Sequence, residues 1–404
     1  NIVVNNATMD GVYRDFYFRN YSATGTINGG SYTNATISVA SHSGDLQING
    51  GTFVCKGSYE CFSLNKGVTT VNNATVSGST GIYVNGRDGI TLNLNNSTVT
   101  GTGSFGVRLD GTYGSANIKK STIKSEKSDG IYSYTSKSLS IEDTSIVGYI
   151  NGLSTYNKTN IKGSEIIGQT KYGIRQNSGN STLTIGEDDD DISTTAPIIK
   201  GDTYGLYIEN GITNIYDGIF KGQTGGYSGT ITTMPDGYTL KEGTEDIDGV
   251  IYKTNYLGEN TAFLQVGDKK FNTINKAIAE AKETGNEIVL IDDANTTAQG
   301  TIDENVNITI DLNGHTLSMS QPLSSAGNLT LKDSGEEKSG KLVNSSTTNN
   351  AYVIESTGTL NIGDVNISGY NGIKAGGVTT IDGTKIELTN SGIGIYGVSS
   401  TTDI

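Results

Sequence analysis

The sequence is poor in several residue types, and each shortage excludes a class of protein. Tryptophan is absent, proline occurs three times, and histidine and cysteine occur twice each in 404 residues. Because proline is scarce and glycine does not recur at every third position, the chain is not a collagen. The two histidines, His42 and His315, are too few and too far apart to favour histidine-centred catalysis or zinc chemistry.

Basic residues and long apolar runs are also scarce. Lysine and arginine number 28 against 42 aspartates and glutamates, which gives a formal net charge of −14 at pH 7. An acidic chain without a basic tract does not suit nucleic acid as a partner. The longest apolar runs have four or five residues. A membrane helix needs ~20, so we expect no membrane insertion in this segment.

The two cysteines lie close together in the segment VCKGSYEC, as Cys55 and Cys61. Their spacing of six residues, with Gly57 between them, permits a small loop closed by a disulfide. Such a bond would place the chain in an oxidising compartment. Reduced, half-buried thiols explain the pair equally well. Two close thiols without a histidine suit a metal poorly.

Glycine is abundant instead, with 55 residues, and it belongs to an internal repeat. A turn phrase such as NNATVSG recurs every 20 to 30 residues through the first half of the chain. Its copies begin at Asn5, Gly29, Gly50, Asn72, Asn95, Lys119, Glu142, Lys162, Gly186 and Tyr216. A second phrase, glycine followed by an apolar residue, lies inside each unit, as in Gly81-Ile82 and Gly130-Ile131.

Each repeat also contains short stretches of alternating apolar residues, such as Leu92/Leu94 and Leu139/Ile141, which indicate three short strands. One repeat cannot bury its apolar face, but stacked repeats pair equivalent strands and close a core. The pattern predicts an all-β fold, with a parallel β-helix of about ten coils over residues 1–225. Asparagine and glycine at the turns tolerate positive φ. The variable spacing between turns, without a hexapeptide period, indicates the right-handed form.

The repeat stops and later starts again after an amphipathic segment. Residues 226–270 are predicted to form a junction that has strands of its own and closes the first β-helix. Four apolar residues from Ile274 to Ala281 lie on one helical face, and a glycine follows, so residues 273–284 are predicted to be a short capping helix. A second β-helix covers 271–404. Because the chain lacks an initial methionine and stops within this repeat, we interpret it as a truncated piece of a longer protein.

The coils resemble the right-handed parallel β-helix of the pectate-lyase-like superfamily across nearly the whole chain. Segments such as TLTIGEDDDD, APIIKGDTYGLY and YDGIFKG are similar to large repetitive cell-surface proteins and adhesins of low-GC Gram-positive bacteria. The resemblance implies an extracellular protein that is attached to the cell surface or cell wall through regions outside this chain. The same fold carries lyases, hydrolases and adhesins, so the resemblance alone does not select among them.

One exposed column of side chains stands out within the repeats. The residue after each glycine–apolar pair points outward because its apolar neighbour points inward. Along successive coils this position reads Tyr83, Arg108, Tyr132, Ser154, Arg175 and Tyr207. Stacked tyrosine and arginine gain ~0.5–1 kcal/mol per cation–π contact at exposed sites. We interpret the column either as a binding stripe for a glycan or protein, or as a ladder that only stabilises the surface.

Acidic residues suggest at most a weak metal site and no catalytic set. Aligned on the turn phrase, Glu142 and Asp143 have lysines as neighbours, which predicts a ladder of salt bridges rather than an acid pair. The densest acidic run is a weak candidate for calcium, the one cofactor that the sequence suggests, because hard cations bind several carboxylate oxygens. The run lacks the spacing of a dedicated calcium loop, and a solvated turn is the alternative interpretation. Its candidate ligands are Asp188, Asp189, Asp190 and Asp191.

These observations predict a structural and adhesive stalk segment of an extracellular bacterial surface protein rather than an enzyme. Its exposed columns would contact a surface glycan or protein, of the host or of bacteria, with weak contacts summed by repetition. The alternative is a polysaccharide lyase or glycoside hydrolase. The absence of tryptophan and of stacked carboxylates argues against it, whereas three carboxylates converging on one groove would revive it. A third expectation is end-to-end self-association of the β-helices.

Overall fold

The computed structural model describes residues 1–398 except 12, 20–22, 43, 87–88, 135, 188–195, 236 and 390. Over this part of the chain the fold is an all-β parallel solenoid of about 16 turns, with 60% strand and a single short helix. The fold class predicted from the repeats is therefore confirmed. The chain forms two compact units, Asn1–Pro235 with Thr239–Gly258, and Asp236–Tyr238 with Glu259–Ile404. The expected junction 226–270 is shared between them.

The first unit consists of short strands that follow one another along the chain. They are β1 (Ile2–Asn5), β2 (Thr8–Asp10), β3 (Arg14–Phe18), β4 (Gly25–Asn28), β5 (Ser31–Ala35), β6 (Ile37–Ser41), β7 (Leu46–Ile48), β8 (Gly51–Cys55), β9 (Glu60–Leu64), β10 (Gly67–Asn72), β11 (Ala74–Gly78), β12 (Thr80–Asn85), β13 (Ile90–Asn95), β14 (Thr98–Gly101), β15 (Val107–Asp110), β16 (Gly114–Lys119), β17 (Thr122–Ser125), β18 (Ile131–Ser133), β19 (Ser138–Glu142), β20 (Ser145–Gly148), β21 (Leu153–Thr155), β22 (Lys158–Lys162), β23 (Glu165–Gly168), β24 (Tyr172–Ile185), β25 (Ile198–Gly201), β26 (Tyr204–Ile215), β27 (Ile219–Gly222), β28 (Gly225–Ser228), β29 (Tyr238–Ile247) and β30 (Val250–Glu259).

Each coil of the first unit contributes one strand to each of three parallel ladders. The first ladder, which we call the amide face, runs from β1 through β4, β7, β10, β13, β16, β19 and β22. The third, which we call the aromatic face, runs from β3 through β6, β9, β12, β15, β18 and β21. The long strands β24 and β26 belong to the aromatic face at their start and to the amide face at their end.

Alternation along the strands places one side of every ladder in the core. In β13 the side chains of Ile90, Leu92 and Leu94 are buried while the residues between them face outward. The first coils are filled by aromatic rings instead, with Tyr32 stacked on Phe53 at 4.7 Å between ring centroids. The buried Tyr32 hydroxyl donates to the Gly29 carbonyl at 2.9 Å. The core thus continues from coil to coil along the unit.

The outer side of the amide face carries a ladder of identical side chains. Asn28 donates from its amide nitrogen to Asn5, Asn49 to Asn28, Asn72 to Asn49 and Asn95 to Asn72, at 2.9–3.3 Å. The turns that follow these strands place Asn73 and Asn96 at positive φ, 53° and 46°, as expected of asparagine in a sharp bend. Each inner asparagine of the ladder donates one side-chain hydrogen bond and accepts another, as Asn49 does between Asn28 and Asn72.

The same column changes to alternating charge in the later coils. Lys119 follows Asn95 in register, and Glu142 and Lys162 follow in turn. The Lys119 Nζ lies 2.6 Å from Glu142, and Lys162 pairs with Glu187. The predicted salt bridge of Glu142 with a lysine of a neighbouring coil is confirmed at Lys119, whereas Lys162 pairs with Glu187 instead.

The first unit ends on strands that run in another direction. β30 pairs antiparallel with β27, with Phe220 opposite Asn255, and β29 lies beside β30 at the edge of the same sheet. β27 is the last strand of the second ladder, which runs from β2 through β5, β8, β11, β14, β17, β20, β23 and β25. β30 and β29 cover its outer edge, which removes a row of unpaired backbone groups.

The second unit opens with a hairpin and the helix. Its elements are β31 (Leu264–Val266), β32 (Lys269–Phe271), α1 (Ile274–Thr284), β33 (Ile288–Leu290), β34 (Ala294–Thr296), β35 (Thr301–Ile302), β36 (Asn307–Asp311), β37 (Thr316–Met319), β38 (Leu323–Ser325), β39 (Asn328–Lys332), β40 (Lys341–Asn344), β41 (Tyr352–Ser356), β42 (Leu360–Gly363), β43 (Asn366–Gly369), β44 (Asn371–Ala375), β45 (Thr379–Asp382), β46 (Lys385–Leu388) and β47 (Ile395–Gly397). From β33 onward the strands again form three parallel ladders.

The helix α1 forms where the amphipathic pattern predicts it. Thr273 caps its start by accepting a hydrogen bond from the Lys276 backbone N–H at 3.2 Å, and Gly285 ends it at φ 72°. The face that includes Ile274 and Ala281 is buried against the first strands of the second solenoid, among them β33 and β36. The helix thus covers the first coil of the unit, as a cap does.

Candidate functional site on the aromatic face

The column expected from the glycine–apolar phrase is present and in register on the aromatic face. Each member is the register partner of the next member on the neighbouring strand. All but one of the side chains are half-buried and lie on the outer side of the ladder. They are Tyr83, Arg108, Tyr132, Ser154, Arg175 and Tyr207. The exception is Ser154, which is only 1% exposed, so its neighbours close over it. The structure brings the other five side chains together along one surface.

Two further columns flank this one on the same face. The residues that precede the glycines lie on one side, and those near the strand ends lie on the other. The preceding column reads Phe105, Asp129, Asn151, Tyr172 and Tyr204, and the following column includes Asp110, Tyr134, Tyr156 and Glu209. The face is therefore a grid of aromatic, charged and small polar side chains three columns wide.

Both arginines of the grid are neutralised by carboxylates. The Arg108 Nε and Nη2 atoms lie 2.8 and 2.7 Å from the Asp110 carboxylate. The Arg175 Nε and Nη2 atoms both lie 2.8 Å from Glu209 Oε1. Arg108 also lies over the Tyr83 ring, with its guanidinium carbon 5.4 Å from the centroid. The arginines thus serve as planar packing groups rather than as unpaired positive charges.

The aromatic rings stack on one another along the solenoid. Phe105 and Tyr132 have centroids 4.9 Å apart and planes inclined by 27°, and Tyr172 and Tyr207 are separated by 4.3 Å and 12°. Tyr156 fills the space beside Tyr132, with centroids 5.7 Å apart. Rings on neighbouring coils therefore cover part of one another's faces, and Tyr132, Tyr172 and Tyr207 remain half-buried.

A small polar floor lies among these rings. Asp129 Oδ1 accepts hydrogen bonds from the Asn151 backbone N–H at 3.1 Å and from its side-chain nitrogen at 3.0 Å. The same amide nitrogen lies 3.3 Å from Ser154 Oγ. Asp129 and Asn151 are 6% and 4% exposed. Burial raises the pKa of the Asp129 carboxyl, and hydrogen bonds from Ser154 and Asn151 and the charge of Arg175 offset part of that rise.

Tyr132, one of these rings, interacts with its neighbour Tyr156. Burial raises the pKa of Tyr132 to about 12, and the adjacent Tyr156, to which it is hydrogen-bonded, contributes further. Tyr132 therefore stays protonated near neutral pH and presents a neutral hydroxyl group. The centre of the grid is a hydrogen-bonding surface framed by aromatic rings, with the Asp129 carboxyl buried beneath it.

Sequence reasoning missed the column before the glycines. Phe105, Asp129 and Tyr172 occupy the position immediately before glycine in three copies of the phrase. Strand alternation does not predict where a corner residue points, so the apolar pattern gave no indication of their place on the face. The shared position relative to glycine is the signal that would have found them.

The cysteine pair lies on the third coil, away from the aromatic grid in sequence. The structure joins Cys55, at the end of β8, to Cys61, in β9, by a disulfide. The weak calcium candidates Asp188, Asp189, Asp190 and Asp191 lie outside the described residues. In the part of the chain that the structure does describe, no three histidine, cysteine, aspartate or glutamate side chains group as a metal site.

The second unit contains a groove of about 570 Å³ that runs across the turns after β35, β38, β41 and β44. Three carboxylates line it: Asp303 and Glu304 at the first coil, and Glu355 on the wall. Glu355 pairs with Lys374 at 3.5 Å, and Asp303, whose side chain is 73% exposed, lies 3.8 Å from Lys282. Short turns of small residues form the floor. Three acids therefore meet on one groove, and two of them have lysine partners.

No protein-family model, curated protein or solved structure matches this chain. Among the described residues, no helix has the length and apolar character that crossing a bilayer demands.

Proposed function

We propose that the chain is a structural and adhesive segment of an extracellular bacterial surface protein, and that the aromatic face is its contact surface. The observation that carries this proposal is the in-register grid of tyrosines and paired arginines from coil to coil. Its central column from Tyr83 to Tyr207 extends about 24 Å, from five intervals at the ~4.8 Å strand spacing. A surface of that length has room for several contacts with an extended partner.

The chemistry of the grid favours a neutral, polar partner such as a surface glycan or an uncharged protein segment. Its arginines are already paired with carboxylates, so a strongly charged ligand gains little from them. Tyrosine with small polar residues is also the composition of binding surfaces that combine rigid rings with adaptable hydrogen bonds. The disulfide between Cys55 and Cys61 supports an extracellular location, because such bonds persist in oxidising compartments.

Binding by repetition gives this proposal a direct test. Beads coated with many copies of the protein are applied to arrays of immobilised host and bacterial surface glycans and matrix proteins. We expect retention of the coated beads to exceed that of single molecules by about 10²-fold, since weak contacts add when copies are linked. The double substitution Tyr132→Ser with Tyr207→Ser is expected to abolish the retention.

A matched control lies on the amide face of the same unit. Asn93→Ser and Asn117→Ser alter the amide face, where Asn117 donates to Asn93 at 2.9 Å, and leave the aromatic grid intact. The proposal predicts unchanged retention for this control. Equal losses in the two variants, or no retention on any surface, would contradict it.

The groove of the second unit favours a second candidate, a polysaccharide-cleaving enzyme. Three carboxylates, Asp303, Glu304 and Glu355, line this one groove, and a pair of carboxyl groups is what a glycoside hydrolase needs. Incubation with acidic and neutral polysaccharides, with and without calcium, followed by assay of new reducing ends and unsaturated sugars tests it. Turnover that disappears in Glu355→Gln but persists in Asp364→Asn, a surface carboxylate outside the groove, would support the enzyme. Absence of turnover on every polymer would favour the adhesive proposal.

A further inference from the structure

Tyr172 and Tyr207 form the tightest tyrosine pair in the described part of the chain. Their ring centroids lie 4.3 Å apart and their planes are inclined by only 12°. The other tyrosine pairs in ring contact have centroid separations of 5.2–6.4 Å. At 4.3 Å and nearly parallel, ring carbons of the two phenols are in van der Waals contact.

The backbone holds this pair in place. Tyr172 and Tyr207 lie on β24 and β26, where Tyr172 is the partner of Tyr204 and Arg175 is the partner of Tyr207. The Arg175–Glu209 ion pair, with both nitrogen–oxygen distances at 2.8 Å, lies beside the rings. Both tyrosines are half-buried rather than enclosed. The rings are therefore held together on the ladder while part of each remains open to solvent.

We propose that Tyr172 and Tyr207 form a site of oxidative cross-linking, at which a peroxidase using hydrogen peroxide joins the two rings as dityrosine. This modification goes beyond the adhesive role, and it rests only on the extracellular location proposed above. An extracellular protein meets such oxidants, and the disulfide at Cys55 and Cys61 is compatible with an oxidising surrounding.

The reaction balances without any group from the protein other than the two phenols. Each phenol loses one electron and its hydroxyl proton, which gives two phenoxyl radicals. The radicals join through a bond between ring carbons next to the hydroxyls, and each of those carbons then releases its hydrogen to restore a phenol. Hydrogen peroxide takes up two electrons and two protons and becomes two molecules of water. The product is lighter than the two tyrosines by two hydrogen atoms.

Because the two rings are in contact, Tyr172 is expected to couple with Tyr207 of the same chain rather than with a tyrosine of another molecule. Two groups held in contact react with a high effective concentration, so coupling inside the pair exceeds coupling between chains. The new bond connects neighbouring coils across a sequence separation of 207 − 172 = 35 residues. A cross-link of this kind restricts the unfolded chain as a disulfide does, so the oxidised protein is expected to melt at a higher temperature.

The test treats the whole chain with a haem peroxidase and hydrogen peroxide, then digests it for mass spectrometry. We expect one main cross-linked peptide that contains Tyr172 and Tyr207, formed at a rate per molecule that does not change with protein concentration. Tyr207→Phe keeps the ring and removes the phenol, so it should lower the yield by about tenfold or more. Tyr204→Phe is the matched control, because Tyr204 also stacks on Tyr207, at 5.9 Å, and its yield should not change.

Three results would overturn the proposal. The first is an undiminished yield in Tyr207→Phe, and the second is a cross-link mainly at another pair or between chains. The third is the absence of dityrosine under conditions that oxidise Tyr113, whose side chain is 65% exposed and which reports that the oxidant is active. Thermal melting of both variants before oxidation checks that they are folded.

Discussion

The amide face and the aromatic face belong to the same coils and are both built from parallel strands in register, yet their side chains stack by different rules. On the amide face one residue type recurs, and an inner member such as Asn72 accepts from one neighbour and donates to the next. On the aromatic face the residue type varies along a column, so that Arg108 lies over Tyr83 and Asp129 accepts from Asn151, although tyrosines also follow one another, as at Tyr172 and Tyr204. The amide face therefore repeats one kind of contact along the axis, whereas the aromatic face combines several.

The two faces also treat their carboxylates differently. Glu142 on the amide face lies near the surface between lysines, and a hydrogen bond from Lys119 is the main cause that lowers its pKa. Asp129 on the aromatic face is enclosed by neutral groups, and burial raises its pKa. One solenoid thus offers a solvated charge ladder and a buried polar floor, and only the floor lies within an aromatic surface. This difference places the candidate site on the aromatic face.

The largest expected loss of stability comes from adding a side chain at a glycine where two coils of the aromatic face approach each other closely. A Cβ atom on Gly130 would lie 2.6 Å from Ile146 Cγ2 and 2.7 Å from the Gly152 carbonyl oxygen. Gly130→Ala must therefore push neighbouring coils apart, and we expect a loss of about 1–3 kcal/mol in the free energy of unfolding. Chemical denaturation measures the change. Gly179→Ala, where nothing lies within 4 Å, is the control, and an equal loss there would refute the steric explanation.

A smaller effect is expected from interrupting the amide ladder. Asn72→Ala removes one hydrogen bond at 2.9 Å and one at 3.3 Å, whereas Asn5→Ala removes the single bond from Asn28. Because these bonds are solvent-exposed, we expect about 1 kcal/mol for Asn72 and about half of that for Asn5. Denaturation of the two variants side by side measures the ratio. Equal costs would mean that the ladder does not act through its hydrogen bonds.

The comparison of faces also explains which features the sequence could predict. Turn residues and period-two alternation fix which side chains share a column, so the register of Tyr83 with Arg108 and the salt bridge of Glu142 followed from the repeats. The helix at Ile274–Thr284 followed from its apolar face and its glycine end. These features depend on local geometry that recurs in every coil.

Features that depend on corners and on unequal turns escaped prediction. Asp129 and Asn151 meet because both precede a glycine, at a bend where strand alternation does not determine direction. Ser154 was expected to point outward as its neighbours do, yet larger side chains close over it. The groove with Glu355 arises because the turns of the second unit differ in length and side-chain size between coils, and no repeat phrase encodes that difference.

The smallest expected effects are on the pH dependence of the free energy of unfolding. Carboxylate variants on the two faces should change this dependence with opposite sign. The folded pKa of Glu142 lies below its ordinary value of 4.5, so its contribution to stability is present above that value and is lost as pH falls through the folded pKa. Glu142→Gln should therefore remove about 0.2–1 kcal/mol at neutral pH, less in high salt, because the pair is exposed. Urea denaturation at neutral and acidic pH, at low and high salt, measures both dependences.

The folded pKa of Asp129 lies above its ordinary value of 3.8, which reverses the sign. Between 3.8 and the folded pKa the native state binds the proton more tightly than the unfolded state, so this contribution to stability is lost as pH rises through that window. Asp129→Asn keeps an oxygen that accepts from the Asn151 backbone N–H and removes the buried charge. Its free energy of unfolding, relative to the parent protein, should therefore increase as pH rises from acid to neutral, whereas that of Glu142→Gln should decrease. Two variants with the same sign would mean that the floor of the aromatic face is as solvated as the charge ladder.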